Sequence, residues 1–181
     1  DFNEINNSDY YLIKTDNNGN EEWYQILGNN GNDYGTSVKQ TDDGGYIITG
    51  QTIVNSQSHA YLIKTNENGD EQWNQFLEYS GNSDNYGKSV QLTTDGGYIV
   101  GGFSNSPGGS IEVGLWKTDS YGNEQWNKIY GGSNADYGYS VQQTTDGGFV
   151  IVGHTPVINN DSDVLLIKTD SAGNSVPFPE N

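Results

Sequence analysis

The stretch YLIKTNENGDEQWNQFLEYSGNSDNYGKSVQLTTDGGYIVGG, residues 61–102, decides the fold of this chain. Its first part returns as YLIKTDNNGNEEW at 11–23, GLWKTDSYGNEQW at 114–126 and LLIKTDSAGN at 165–174. Its last part returns as YGTSVKQTDDGGYIITG from residue 34 and as YGYSVQQTTDGGFVIVG from residue 137. The lysines of the first motif are 50, 53 and 51 residues apart, and a fixed period of this size is typical of repeat architectures.

The composition favours an all-β fold. Only 31% of the 181 residues are hydrophobic, 25 are glycine, and 13 tyrosines and 4 tryptophans supply much of the surface that folding can bury. Aromatic residues at fixed intervals are not typical of a disordered chain. The length suits one domain of repeats with many turns.

The charge excludes several classes of partner. The formal net charge is −17 and arginine is absent, so we expect no nucleic-acid binding and no adsorption to an anionic membrane. No apolar run is long enough for insertion into a membrane. Cysteine is absent, so disulfides and thiolate metal sites are excluded. Solubility explains the acidity, with divalent-cation binding or a saline habitat as alternatives.

We expect a single repeat domain over residues 1–181, with four short antiparallel strands in each complete unit. Every predicted strand is rich in apolar or β-branched residues and ends at a Gly, Asn or Asp turn. Segments 28–35 and 51–58 are predicted loops. The predicted divisions are a lead-in and half unit at 1–35, units at 36–78 and 88–130, a last unit at 139–176 with a degenerate final strand, and a tail at 177–181.

Within each unit the repeated residues have structural explanations. Paired glycines are expected to supply positive φ in a tight hairpin: Gly44, Gly45, Gly96, Gly97, Gly147 and Gly148. Tryptophans are expected to fold against the neighbouring sheet: Trp23, Trp73 and Trp126. Lysines within apolar strands are expected to reach a carboxylate of a turn: Lys14, Lys64, Lys117 and Lys168.

These motifs resemble those of β-propeller blades. Tyr-Ile-Val-Gly-Gly at 98–102, followed by Lys-Thr-Asp-x-x-Gly-Asn-x-x-Trp at 117–126, resembles the kelch repeat. The Asp-x-x-Gly-x-x-x-Trp core is similar to the tryptophan-docking turn of quinoprotein propellers and to the Asp-box hairpin. The repeat as a whole resembles long exported bacterial and archaeal repeat proteins of the DGGYIIxG…LIKTDxxGNxxW type. The resemblance implies a propeller-type fold and an extracellular or cell-surface location, and no particular activity.

The number of units raises the question of partners. About 3.5 blades are expected, whereas propellers close with about four to eight. An open arc would expose sheet edges and apolar faces. We therefore expect self-association, by ring completion or head to tail, or a longer parent chain.

The residues that carry catalysis in known sites are not organised in this sequence. The two histidines, His59 and His154, do not recur in the repeats, and we interpret them as surface or blade-edge residues. The resemblance to Asp-box sialidases implies an arginine cluster, which this chain lacks. No catalytic residue, cofactor site or enzyme activity is predicted, because a catalytic site would break the repeat symmetry.

Calcium is the small ligand that the sequence favours most, because several turns are rich in oxygen atoms. Turns that need no ion explain the same residues. The candidate ligands are Asp16, Asn18, Asn20, Asp84, Asp119 and Asp170.

Two functional classes remain. The first is a non-enzymatic extracellular or cell-surface structural protein built for assembly. The second is a binding module for glycan or protein that uses the variable loops at 52–58, 104–110 and 155–161.

Overall fold

The computed structural model describes residues 7–79, 84–105, 109–132, 134–157 and 161–175. No helix occurs in these ranges, and the predicted all-β class is confirmed. The strands are β1 (Tyr10–Thr15), β2 (Glu21–Leu27), β3 (Asn32–Gln40), β4 (Tyr46–Val54), β5 (Gln57–Thr65), β6 (Glu71–Leu77), β7 (Asn85–Leu92), β8 (Tyr98–Asn105), β9 (Ile111–Thr118), β10 (Glu124–Tyr130), β11 (Tyr137–Gln143), β12 (Phe149–Val157) and β13 (Asp161–Thr169).

The strands form four antiparallel sheets, each a meander in chain order. Sheet 1 has β1 and β2, sheet 2 has β3 to β6, sheet 3 has β7 to β10, and sheet 4 has β11 to β13. Ser175, the first residue of the predicted degenerate final strand, forms a single bridge with Thr169 at the end of β13. The rest of that segment and the tail, residues 176–181, lie outside the described residues.

Several strands are longer than the sequence predicts. The predicted loop at 28–35 is wrong in its second half, because β3 begins at Asn32. The predicted loop at 51–58 is also wrong, since β4 and β5 pair as far as Val54 and Gln57. Only Asn55 and Ser56 lie between the two strands, with φ of 52° and 66°. Two residues of positive φ make the tight hairpin turn that matches the twist of the strands.

Each sheet packs on the sheet that follows it in the chain. The side chains buried between sheets 1 and 2 are Tyr10, Leu27, Ile48, Tyr61 and Ile63. Those between sheets 2 and 3 are Ile47, Ala60, Leu62, Leu77, Val90, Tyr98, Val100 and Trp116. Those between sheets 3 and 4 are Ile99, Val113, Leu115, Val141, Phe149 and Ile151. Burying one large apolar side chain contributes about 1.5–3 kcal/mol, so these contacts stabilise the fold more than the surface ion pairs do.

Candidate functional site

The first recurring site joins a lysine of one strand to the Thr-x-Asp-Gly-Gly turn of the same sheet. Lys64 donates to Asp43, at 2.8 Å from Nζ to Oδ2, and to the carbonyl oxygen of Thr65 at 2.7 Å. The Thr41 hydroxyl and the Gly45 amide also donate to Asp43. The contact between lysine and turn carboxylate, expected from the sequence, is therefore present. The same ion pair joins Lys117 to Asp95 and Lys168 to Asp146.

The two glycines of this turn have different roles, which corrects the prediction that both supply positive φ. Gly44 has a φ of +82°, as the turn requires. Gly45 is outside the positive range, but a Cβ there would overlap the Thr65 carbonyl and stand 2.8 Å from Lys64 Nζ. The second glycine therefore makes room first for the carbonyl of the neighbouring strand and then for the lysine bound to that carbonyl. Gly96 and Gly97, and Gly147 and Gly148, repeat this division.

Hydrogen bonds to these turn aspartates lower their pKa. The bonds from Lys64 and Thr41 lower the pKa of Asp43 to about 2. Burial raises the pKa of Asp95, but hydrogen bonds from Thr93 and Lys117 outweigh it, and the value falls to about 2. The bond from Lys168 lowers the pKa of Asp146 in the same way. The ionised carboxylates are thus part of the folded structure.

The second recurring site is the turn that follows each lysine. Asp16 Oδ1 accepts bonds from the amides of Asn18 and Asn20, at 2.8 and 2.9 Å, and the Asn20 side chain donates to Oδ2. These bonds, led by that of the Asn20 side chain, lower the pKa of Asp16. Gly19 closes the turn with a φ of +83°. The turns that begin at Asp119 and Asp170 have the same bonds.

One departure from the repeat is compensated within the same turn. Asn66 stands where the other units have aspartate, and Asp70 stands where they have asparagine. The Asn66 side-chain oxygen Oδ1 still accepts bonds from the amides of Asn68 and Asp70, at 2.9 Å each, and its Nδ2 donates to Asp70 Oδ2 at 2.9 Å. The acid and the amide have exchanged places, and the network is kept.

Most of the candidate calcium ligands are engaged in hydrogen bonds within these networks. The Asp16, Asp119 and Asp170 carboxylates face N–H donors, and Asn18 and Asn20 supply such donors. Asp84 accepts bonds from the Ser58 amide and the Asn105 side chain. Within the described ranges, no group of three or more acidic, histidine or cysteine side chains is placed to hold a metal. Calcium at these six residues stays a prediction.

The third recurring site places each tryptophan against the turn of the following sheet. A Cβ on Gly69 would come 2.7 Å from the Trp23 ring, one on Gly122 2.6 Å from the Trp73 ring, and one on Gly173 2.8 Å from the Trp126 ring. Only glycine leaves room for the indole there. Each indole also contacts an aromatic ring: Trp23 with Tyr46, Trp73 with Tyr98 and Trp126 with Phe149, at centroid distances of 5.8, 6.0 and 5.8 Å.

Gly19 holds the corresponding place in sheet 1, and a Cβ on it would have no atom within 4 Å.

Sheet 1 also differs at the lysine site, because β1 is not preceded by a Thr-x-Asp-Gly-Gly turn among the described residues. Lys14 forms its ion pair with Glu22, at the position where Gln72 and Gln125 accept from Lys64 and Lys117. A cleft of about 500 Å³ opens beside β1 and is lined by Tyr10, Tyr11, Leu12, Tyr34 and Val38, among others. Sheet 1 therefore leaves a tryptophan site and an apolar cleft open.

The two end sheets expose positions that are buried elsewhere. Val164 and Leu166 of sheet 4 are 80% and 48% exposed, whereas their equivalents Val113 and Leu115 in sheet 3 are fully buried. On the outer face of sheet 1, Tyr11 is 59% exposed and Ile13 is 46% exposed. Their equivalents in sheet 2, Tyr61 and Ile63, are buried. The residues exposed on the outer faces of sheets 1 and 4 thus correspond to residues that are buried between consecutive sheets inside the chain.

The histidines lie in two different settings. His59 Nδ1 is 2.8 Å from Glu78 Oε1, and the ring contacts Phe76. His154 stacks on Tyr137 and Tyr139, with centroid distances of 4.8 and 5.5 Å. The contacts described for these two rings are with aromatic rings and one carboxylate. That arrangement adds no support for a nucleophile activated by histidine.

Where the structure describes the predicted recognition loops, most of their residues lie in strands. Residues 52–58 form the tight turn at Asn55 and Ser56 with its flanking strands. β8 extends to Asn105 and β9 starts at Ile111, while β12 extends to Val157 and β13 starts at Asp161. The parts of those two loops at 106–108 and 158–160 lie outside the described residues.

The repeat motifs do not predict two features. Trp116 stands where β1 and β5 have Ile13 and Ile63, and it is fully buried between sheets 2 and 3. Its apolar neighbours Val113 and Leu115 were the available signal. The buried acid Glu112 carries no repeat signature, because the equivalent residues are Asp9, His59 and Asp163.

No protein-family model matches this chain, and no curated protein is similar to it in sequence. No helix of the described residues is long and apolar enough to span a bilayer.

Proposed function

We propose that this chain is a non-enzymatic structural protein of the β-propeller type, outside the cell or on its surface, whose repeats assemble with others of the same kind. Four-stranded antiparallel meanders that each pack on the next are typical of propeller blades. The acidic, arginine-free composition and the resemblance to exported repeat proteins support the location. Repeated side chains with structural partners in every unit support a role in assembly over catalysis.

The observation that carries this proposal is the pair of open end faces. Val164 and Leu166 lie on the forward face, the side that in sheets 1 to 3 packs on the following sheet. Tyr11 and Ile13 lie on the backward face, the side that in sheets 2 to 4 packs on the preceding sheet. The same contact is made inside the chain, so the two faces are complementary in position and chemistry. Unlike faces that meet head to tail close a ring when the rotation allows it and otherwise build a filament.

The test is the size of the full chain as a function of concentration, by light scattering after size exclusion and by electron microscopy. We expect wild-type chains to form ordered oligomers without added ligand. Leu166→Asp places a charge on the forward face and should leave the chain monomeric. Tyr121→Asp is the matched control, because Tyr121 is 74% exposed in a turn away from that face, and it should assemble like the wild type.

Two results would contradict the proposal. A wild-type chain that stays monomeric at every concentration and binds a glycan or protein would favour the alternative binding module. Assembly that Leu166→Asp does not weaken would show that the end faces are not the contact.

A further inference from the structure

Two carboxylates meet at the junction of sheets 3 and 4. Glu112 lies in β9 and is only 8% exposed, and its Oε2 has no hydrogen-bond partner. Asp136 lies just before β11 and is 6% exposed. A Cβ built on Gly131 would overlap Glu112 Oε2 and stand 2.6 Å from Asp136 Oδ2. The two oxygens therefore share one small space, which exists because residue 131 is glycine.

Two carboxylates so placed repel each other unless a positive charge lies between them. The Gly132 amide donates to Asp136 Oδ2 at 3.1 Å, which satisfies part of one carboxylate. Burial, and then the nearby Asp136 charge, raise the pKa of Glu112. Burying two carboxylates side by side without a countercharge is therefore unfavourable.

At the other two junctions, the residues equivalent to Glu112 and Asp136 differ in charge from one junction to the next. At the junction of sheets 1 and 2, Asp9 and Asp33 hold the same places and Gly28 again leaves the room, but Asp9 is exposed to solvent, unlike Glu112. At the junction of sheets 2 and 3 the places are held by His59, Asn85 and Glu78, and His59 is bonded to Glu78. Where an imidazole meets the carboxylate, the glycine and the second acid are both replaced.

We propose that the junction of sheets 3 and 4 binds a calcium ion through Glu112 and Asp136. Hard cations prefer carboxylate oxygens, and calcium accepts water for the rest of its shell. The ion would replace the missing positive charge and join β9 to the start of β11, so it would strengthen the contact between consecutive sheets. The site is separate from the open end faces, so this inference does not depend on the proposed assembly.

Thermal unfolding of the full chain at pH 7, in calcium chloride against chelator, is the test. Because a ligand of the folded state stabilises by mass action, we expect calcium at about 100 times its dissociation constant to raise the wild-type midpoint by about 5 °C or more. Asp136→Asn and Glu112→Gln should each remove the shift. In chelator, Asp136→Asn should unfold at or above the wild-type midpoint, because Asn85 already fills this position and accepts a backbone bond there.

Asp119→Asn is the control, since it copies Asn66 in a turn that the sequence also favoured for calcium. It should keep the full calcium shift. No calcium shift in the wild type would overturn the proposal. So would a shift that Asp119→Asn abolishes and Asp136→Asn keeps.

Discussion

At the scale of single residues, glycine meets two different requirements in this chain, a positive φ and room for a neighbour. Gly44 provides a positive φ, and Gly45 leaves room for the Thr65 carbonyl and the lysine. Gly122 meets both requirements, because the turn has a φ of +82° and the Trp73 ring lies against it. The sequence shows that these glycines recur. It does not show which requirement applies, because that depends on a neighbour some 50 residues away.

Gly122→Ala and Gly19→Ala separate the two requirements. Both sites have φ near +82°, so each alanine should cost about 1 kcal/mol for the backbone conformation. Only Gly122→Ala also meets the Trp73 ring, and we expect it to cost about 1–3 kcal/mol more. Denaturant unfolding of both variants measures the difference. Equal costs would show that the indole does not depend on the glycine.

At the scale of elements, the strands were predicted in kind and in order, while their lengths were not. The alternation and the turn residues place β4 and β5 correctly, but Asn55 and Ser56 form a hairpin turn without glycine. Asparagine and serine tolerate positive φ less well than glycine, so the segment is predicted as a loop. β3 likewise begins inside a run of Gly, Asn and Asp, because pairing with β4 outweighs local preference.

The candidate sites could be predicted only in part, because the sequence shows which residues recur but not which residues meet between sheets. The lysine and its aspartate are both repeat residues, so their contact follows from the motif and the hairpin geometry. The sequence does not show which carboxylate oxygens remain without a partner, because Glu112 and Asp136 meet across two sheets and the residue at the place of Glu112 differs from unit to unit.

The ion pair between the Thr-x-Asp-Gly-Gly turn and β5 predicts sensitivity to acid. Lys64 and Thr41 lower the pKa of Asp43 to about 2, below its usual 3.8, so its contribution to stability is complete above about pH 4 and is lost as the pH falls through 2. Asp43→Asn should destabilise the chain by about 1–3 kcal/mol at pH 7, because it removes an ionised acceptor from a buried ammonium. Its stability should then change less than that of the wild type between pH 4 and pH 2.

Asp42→Asn is the control for this experiment, because it removes the same formal charge from the same turn. Its unfolding free energy at pH 7 and its acid dependence should follow the wild type. If both variants behave alike, net charge explains the acid sensitivity and the ion pair with Lys64 does not.

At the scale of the whole molecule, stability should fall from the middle sheets toward the ends. Sheet 3 is packed on both faces, and Val113 and Leu115 in β9 are fully buried. Sheet 1 has two strands and is packed on sheet 2, with Tyr11 and Ile13 exposed. Regions with fewer buried contacts open at lower free energy.

Amide hydrogen exchange measures this gradient. We expect the amides of β1 to exchange at least about tenfold faster than those of β9 in the monomer, a difference of about 1.4 kcal/mol in opening free energy. Leu166→Asp provides the monomeric sample, since its substitution lies in sheet 4. Equal protection in β1 and β9 would show that the chain opens as a single cooperative unit.

The indole contacts determine which changes in the number of residues the fold can accept. Trp23, Trp73 and Trp126 reach glycines that lie about one period further along the chain, at Gly69, Gly122 and Gly173. Recombination that inserts or deletes one whole period gives every indole a new but equivalent glycine. A change of half a period leaves an indole facing a strand instead. Such proteins can therefore evolve in length by whole periods, with each intermediate still able to fold.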